Sequence, residues 1–192
     1  MRFTPRVLPL AVAALCNALL AAASAPGQEI VLDLDTARSS VQFTLADVLH
    51  TVHGNFKIKH GAVRFDPATG KISGDVVVDA VSGDSGSEAR DRRMHKNILE
   101  SDRYPEIVFA PSRVEGALAA EGSSEVQVHG MFRIHGAAHE IQLPVRVTVA
   151  NGKATAKTHF TVPYVQWGMK NPSTLLLRVS DKVEIDVAAY SR

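Results

Sequence analysis

Ile141-Gln142-Leu143-Pro144-Val145-Arg146-Val147-Thr148-Val149-Ala150-Asn151-Gly152 is the stretch that decides how this chain folds. Ile141, Leu143, Val145, Val147 and Val149 alternate with Gln142, Pro144, Arg146 and Thr148, and a period of two puts the apolar set on one face of a strand. Asn151 and Gly152 both accept positive φ, as a two-residue hairpin turn of the primed type requires, so an antiparallel neighbour follows.

The same alternation recurs on both sides. It appears at Val41, Phe43 and Leu45; at Phe56 and Ile58; at Val76 and Val78; and at Ile107 and Phe109. Further along it returns at Val128, Phe132 and Ile134; at Leu175, Leu177 and Val179; and at Val183, Ile185 and Val187. Turn residues separate these segments at Asp66-Pro67-Ala68-Thr69-Gly70, Glu121-Gly122-Ser123-Ser124 and Asn171-Pro172-Ser173. No helical segment of about 10 to 15 residues recurs between strands, so a parallel βαβ sheet is not supported. The expected fold is all-β, with about eight antiparallel strands. Such a domain, lacking helices to cover its sheets, disposes of its edges most simply by closing into a barrel.

Arg2 and Arg6 precede an apolar run from Val7 to Ala25 that ends in small residues, the order of a secretory signal peptide. The expectation is a signal over residues 1–27, a mature domain over 28–192, and a periplasmic or secreted protein. Cys16 is the single cysteine and lies inside the signal, so the mature domain has neither thiol chemistry nor a disulfide. Losing Arg2 and Arg6 takes two positive charges from the formal net charge of +1, leaving −1. That balance gives no reason to expect a nucleic-acid partner.

One long interruption runs from Ser82 to Arg103. Ser85-Gly86-Ser87-Glu88 has capping-box spacing, and Met94, Ile98 and Leu99 share one face of a short helix. A helical lid over one end of the barrel is the reading preferred here; a crossover packed on the outer wall also fits. The basic residues Arg90, Arg92, Arg93 and Lys96 would meet a lipid phosphate or an anionic membrane at the mouth, or else form a solvated face balanced by Glu88 and Asp91.

Taken in order, several of these segments resemble the YceI-like lipid and polyisoprenoid-binding family. The resemblance rests on Arg90-Asp91 followed by Met94 and Tyr104-Pro105-Glu106-Ile107-Val108-Phe109. It continues through Val128-His129-Gly130-Met131-Phe132-Arg133-Ile134-His135-Gly136 into Glu140-Ile141-Gln142-Leu143, with Asp35-Thr36-Ala37-Arg38-Ser39 and Gly54-Asn55-Phe56 also fitting. It spans Asp35 to about Ala189. The resemblance implies an eight-stranded lipocalin-like barrel, hollow, holding a long isoprenoid or fatty chain in the periplasm. Arg38 stands where the family usually has His, the residue near Asp47 also differs, and the stretch from Phe43 to Phe56 is one residue short. After Met94 the chain offers Ile98 and Leu99 where the family tends to have aromatic residues.

The residues expected to line a lipid-binding interior are Phe43, Phe56, Phe109, Phe132, Ile134, Leu143, Phe160 and Trp167, with Met94, Ile98 and Leu99 at the lid. Each is also an ordinary core residue, and only the resemblance raises the set to a site. No cofactor is expected beyond a bound isoprenoid or fatty chain. The partners considered are a long-chain amphiphilic lipid, a transiently contacted membrane surface and a second copy of the chain in a homodimer.

Metal and catalytic chemistry find weak support. His50 and His53 converge only across a bend, and His135 and His139 flank Gly136-Ala137-Ala138 without an evident third ligand. Gly83-Asp84-Ser85-Gly86 resembles a protease nucleophile loop in isolation, without the rest of that constellation. No catalytic residue and no metal site is assigned. Two other readings compete with a lipid carrier: a filled barrel acting as a structural or stress-response partner, and a hydrolase or isomerase using histidines at one mouth.

Overall fold

The computed structural model describes residues 29–46, 51–174 and 177–192. The expected signal peptide, Cys16, Asp47, His50 and Leu175 lie outside the described residues. Among the described residues nine strands form: β1 (Ile30–Asp33), β2 (Ser40–Ala46), β3 (Thr51–Asp66), β4 (Lys71–Asp84), β5 (Glu106–Glu115), β6 (Gly122–Ile134), β7 (Ala137–Ala150), β8 (Lys153–Val162) and β9 (Val183–Tyr190).

From β2 to β9 every strand pairs antiparallel with the next, and β9 pairs back with β2, closing an eight-stranded up-and-down barrel. β1 adds to the part of β3 that β2 does not reach, pairing Ile30 with Phe65 and Asp33 with Ala62. Closure leaves no central edge to template aggregation.

One strand assignment is corrected. The eighth barrel strand is β8, whereas Leu177 and Val179 lie in the irregular connection between β8 and β9. There the Ser173 Oγ accepts from the Val179 N–H at 2.8 Å, the Thr174 Oγ1 accepts from the Leu177 N–H at 3.2 Å, and the Asn171 amide donates to the Val179 carbonyl at 3.2 Å. Side chains thus satisfy backbone groups that a ladder would otherwise pair. Leu177 and Val179 are half-buried and line the barrel interior, which is why they are apolar without forming a strand.

The Asn151-Gly152 turn is present as expected, with φ of 53° and 72°. The β6–β7 hairpin also turns on two residues, His135 and Gly136, at φ 52° and 77°. Ala137 and Ala138 therefore belong to β7, and the turn is tighter than the Gly136-Ala137-Ala138 reading.

The segment between β4 and β5 is helical: α1 (Glu88–Arg93) continues as a wider π-type turn over Met94–Leu99 and ends on Glu100 at φ 47°. The expected capping box does not form. Ser87 is the N-cap without a side-chain bond, while the Ser85 backbone N–H and hydroxyl both donate to the Asp91 carboxylate. The Arg90 guanidinium in turn donates to the Ser85 hydroxyl and carbonyl, each at 2.7 Å.

Two glycines allow aromatic rings to lie against the wall. A Cβ on Gly54 would sit 2.3 Å from the Phe43 ring, and one on Gly130 would sit 2.7 Å from the Phe109 ring. Each phenyl takes up space that a side chain on the neighbouring strand would have filled.

Candidate functional site

The barrel interior holds one continuous cavity of about 660 Å³. It runs from Ile30, Leu32, Ile72 and Leu118 at one end to Met94, Ile98, Leu99, Tyr164 and Met169 at the other. Alternation explains the lining: along β7, Leu143, Val145 and Val147 face the cavity, while Glu140, Gln142, Pro144 and Arg146 are exposed. Counting roughly 30 Å³ per methylene-sized group, the share of one water in the liquid, the space takes a chain of about 20 such groups.

Of the residues expected to line the interior, Phe43, Phe56, Met94, Ile98, Leu99, Phe109, Phe132, Ile134, Leu143 and Phe160 all do so. Phe43 and Phe56 pack at 5.4 Å between ring centroids, and Phe132 meets Phe160 edge-on at 6.0 Å. Trp167 does not line the cavity. It packs against Phe132 at 5.8 Å and stacks on the His139 imidazole at 4.0 Å, with 8° between the planes.

Sequence reasoning missed the small residues of β8. Ala154, Ala156 and Thr158 face inward with Phe160 and Val162, and all five line the cavity. Their alternation after Asn151-Gly152 was the available signal, but alanine and threonine carry little hydrophobic contrast. Thr158 Oγ1 has no hydrogen-bond partner, so this wall carries the cost of a buried, unsatisfied hydroxyl.

The lid covers one mouth. Met94, Ile98 and Leu99 face the cavity from it, so the crossover-on-the-wall alternative does not hold. His95 pins the lid to β4: its Nε2–H donates to the Gly83 carbonyl at 2.9 Å, and its Nδ1 accepts from the Ser101 hydroxyl at 3.1 Å. A carbonyl can only accept, which fixes this tautomer. On the same side, the connection between β8 and β9 is tied by Tyr164, whose buried hydroxyl donates to the Ser180 carbonyl at 2.6 Å. Burial, with a contribution from the Asp181 charge, pushes its pKa up to about 12.

Charged clusters lie on the outer wall instead. His159 sits between Asp186 at 2.9 Å and Glu184 at 3.2 Å, and His129 faces Glu115 at 3.3 Å. The Arg113 guanidinium and His129 hold the Glu115 carboxyl below the usual carboxylate range. His135 packs on Tyr104, with the Glu100 carboxylate 3.8 Å from its Nε2, and His139 packs on Trp167; neither Nε2 has a hydrogen-bond partner among the described residues. Among the described residues, no three His, Cys, Asp or Glu side chains converge in an arrangement that could hold a metal.

A family model described as the YceI-like domain matches residues 32–190. The chain belongs to the YceI-like family. A UPF0312 protein of Pseudomonas savastanoi pv. phaseolicola is 30% identical over 131 residues, covering 65% of this chain and 67% of that one. Among solved structures, Burkholderia cenocepacia BcnA superposes with a TM-score of 0.69 at 21% identity, over 83% of this chain and all of that one. A polyisoprenoid binding domain from Saccharophagus degradans, implicated in plant cell wall breakdown, gives 0.67 at 16% identity, over 84% and 98%. These YceI-like structures share the closed antiparallel barrel.

Proposed function

We propose that this YceI-like protein is an exported, non-catalytic carrier that sequesters a long-chain isoprenoid or fatty amphiphile inside its barrel. The observation that carries the reading is the apolar cavity running the length of the barrel. A filled barrel would lack it. The name of the Saccharophagus degradans neighbour points to the same ligand class.

Energetics favour a chain. Each buried methylene contributes about 0.8 kcal/mol, and after ordering costs a chain of ten or more carbons still retains several kcal/mol. Among the described residues, the ionisable side chains lining the cavity are Arg90, Arg93 and Tyr164. None of the three is suited to general acid–base work near neutral pH, since guanidinium groups stay charged and Tyr164 holds its proton to about pH 12. This supports binding over turnover. The apolar run before residue 28 supports a site of action outside the cytoplasm.

Mass spectrometry of solvent extracts from purified protein tests the reading. A single long-chain amphiphile recovered at about one per barrel is the expected result. Protein that is consistently empty, and that takes up no added chain, would overturn it.

A further inference from the structure

The lid carries three arginines within one short helix, and the structure treats them differently. Arg92 points away from the cavity and pairs with Glu88 at 3.3 Å. Arg90 and Arg93 line the cavity, and neither has a carboxylate within 4 Å among the described residues. The neighbouring acids accept their direct hydrogen bonds from uncharged groups. Asp91 accepts from Ser85, and Asp84 accepts from the Gly86 N–H at 2.7 Å.

The position of these two guanidinium groups also marks the opening. Ala89, Arg90 and Arg93 are the exposed residues of the lining; the others are buried or half-buried. The cavity therefore meets solvent beside α1, and among the described residues Arg93 has no acidic partner at this rim, while Arg90 reaches Asp91 only through the Ser85 hydroxyl. Ser85 and Ser87 add hydroxyl groups at the same rim. Deeper in, no carboxylate among the described residues lines the wall.

We propose that the mouth beside α1 binds the anionic head, phosphate or carboxylate, of the chain whose tail fills the barrel, through Arg90 and Arg93. The proposal rests on the tail-binding reading above and adds the polarity of the guest. A planar guanidinium with unspent N–H donors forms short charge-assisted bonds to phosphate or carboxylate oxygens. Arg90 keeps donors free after its two bonds to Ser85, and Arg93 is the less committed of the pair. A cationic head would be repelled by the two guanidinium groups, and an uncharged head would gain little. Because both arginines are exposed, the preference weakens as salt is added.

Calorimetric titration with a matched set of 16-carbon guests tests this: an alkyl phosphate, a fatty acid, an alcohol and a trimethylammonium, with inorganic phosphate as a tail-free probe. The phosphate and the acid are expected to bind about tenfold more tightly than the alcohol at low salt, a preference that shrinks at high salt. Arg93→Gln reduces the preference and leaves alcohol binding intact, whereas Arg92→Gln changes neither. Equal affinity for acid and alcohol, or a loss in Arg93→Gln shared by every guest, overturns the head-group assignment while leaving the carrier reading standing. Inorganic phosphate binding as tightly as the alkyl phosphate overturns it too, by showing a free-anion site. If no guest binds, alcohol included, the carrier reading fails and this proposal falls with it.

Discussion

The two ends of the barrel are closed in different ways. One end is sealed by backbone turns: Asp66 to Gly70, the β5–β6 link and Asn151-Gly152. At the first of these, the Asp66 carboxylate accepts from the Ala68 N–H at 2.9 Å and the Thr69 hydroxyl at 2.6 Å. These bonds hold that carboxyl below its ordinary pKa. The opposite end is covered by a lid and a long connection whose closure depends on side chains. α1 itself buries no residue, and its hold on the barrel comes from the Ser85, Asp91, Arg90 and His95 hydrogen bonds. α1, with no buried residue of its own, therefore opens locally at lower cost than the strands beside it, whereas Met94, Ile98 and Leu99 after it pack on the core. The turn end is thus the fixed floor of the container, and the lid end is its door.

Alkaline pH should strain the door first. Tyr164 has its pKa raised from 10.0 to about 12 in the folded state. The folded protein holds this proton more tightly than the unfolded chain, so the stabilisation is complete below pH 10 and is lost as pH rises towards 12. On the order of 2 kcal/mol is at stake. Denaturant melts across that range should show the loss, and Tyr164→Phe should flatten it. A melt of the wild-type chain that does not change from pH 9 to 12 would break the assignment of Tyr164 as a fastening of the lid end.

Filling the container should act on binding instead. Ala156→Phe projects a ring into the cavity and displaces the equivalent of about three methylenes of guest, weakening a long chain by about 2 kcal/mol, or roughly thirty-fold. Titration with a 16-carbon guest reads this directly, and unchanged affinity would mean that the chain binds elsewhere. His95→Ala should cost about 1.5 kcal/mol by removing two bonds and leaving the buried Ser101 hydroxyl unpartnered. Hydrogen exchange should speed up across residues 84–103 and stay unchanged at the turns of the other end. Gly152→Ala is the mildest change: it places a Cβ at φ 72°, costs about 1 kcal/mol of stability and leaves guest affinity as it was. Were Gly152→Ala to alter affinity, the division between floor and door would not hold.

How much of this could be read from the chain alone follows the same division. β7 was legible because from Ile141 to Val149 each inward position is a large aliphatic residue and each outward one is polar or proline. The lid was legible from Met94, Ile98 and Leu99, all of which face the cavity. β8 was not, because hollowness itself erases the signal: Ala154, Ala156 and Thr158 leave the space that the guest would occupy, and small residues give weak alternation. Leu177 and Val179 misled for the opposite reason. They are apolar because they face the cavity from an irregular connection that supplies its own hydrogen bonds through Asn171, Ser173 and Thr174. Trp167 was assigned to the interior with the other aromatic residues, yet its ring packs against Phe132 and His139. The different fates of Arg90, Arg92 and Arg93 depend on which way α1 faces, which a run of basic residues does not disclose.

The central claim is that a chain lies inside the barrel, and a chain-length series measures this most directly. With the head group held constant, affinity for straight-chain guests of 8 to 24 carbons should rise with each added methylene and level off near the length that fills the cavity, at about 20 groups. An affinity that does not depend on length, or that keeps rising past 24 carbons without a break, would show that the cavity is not where the chain resides.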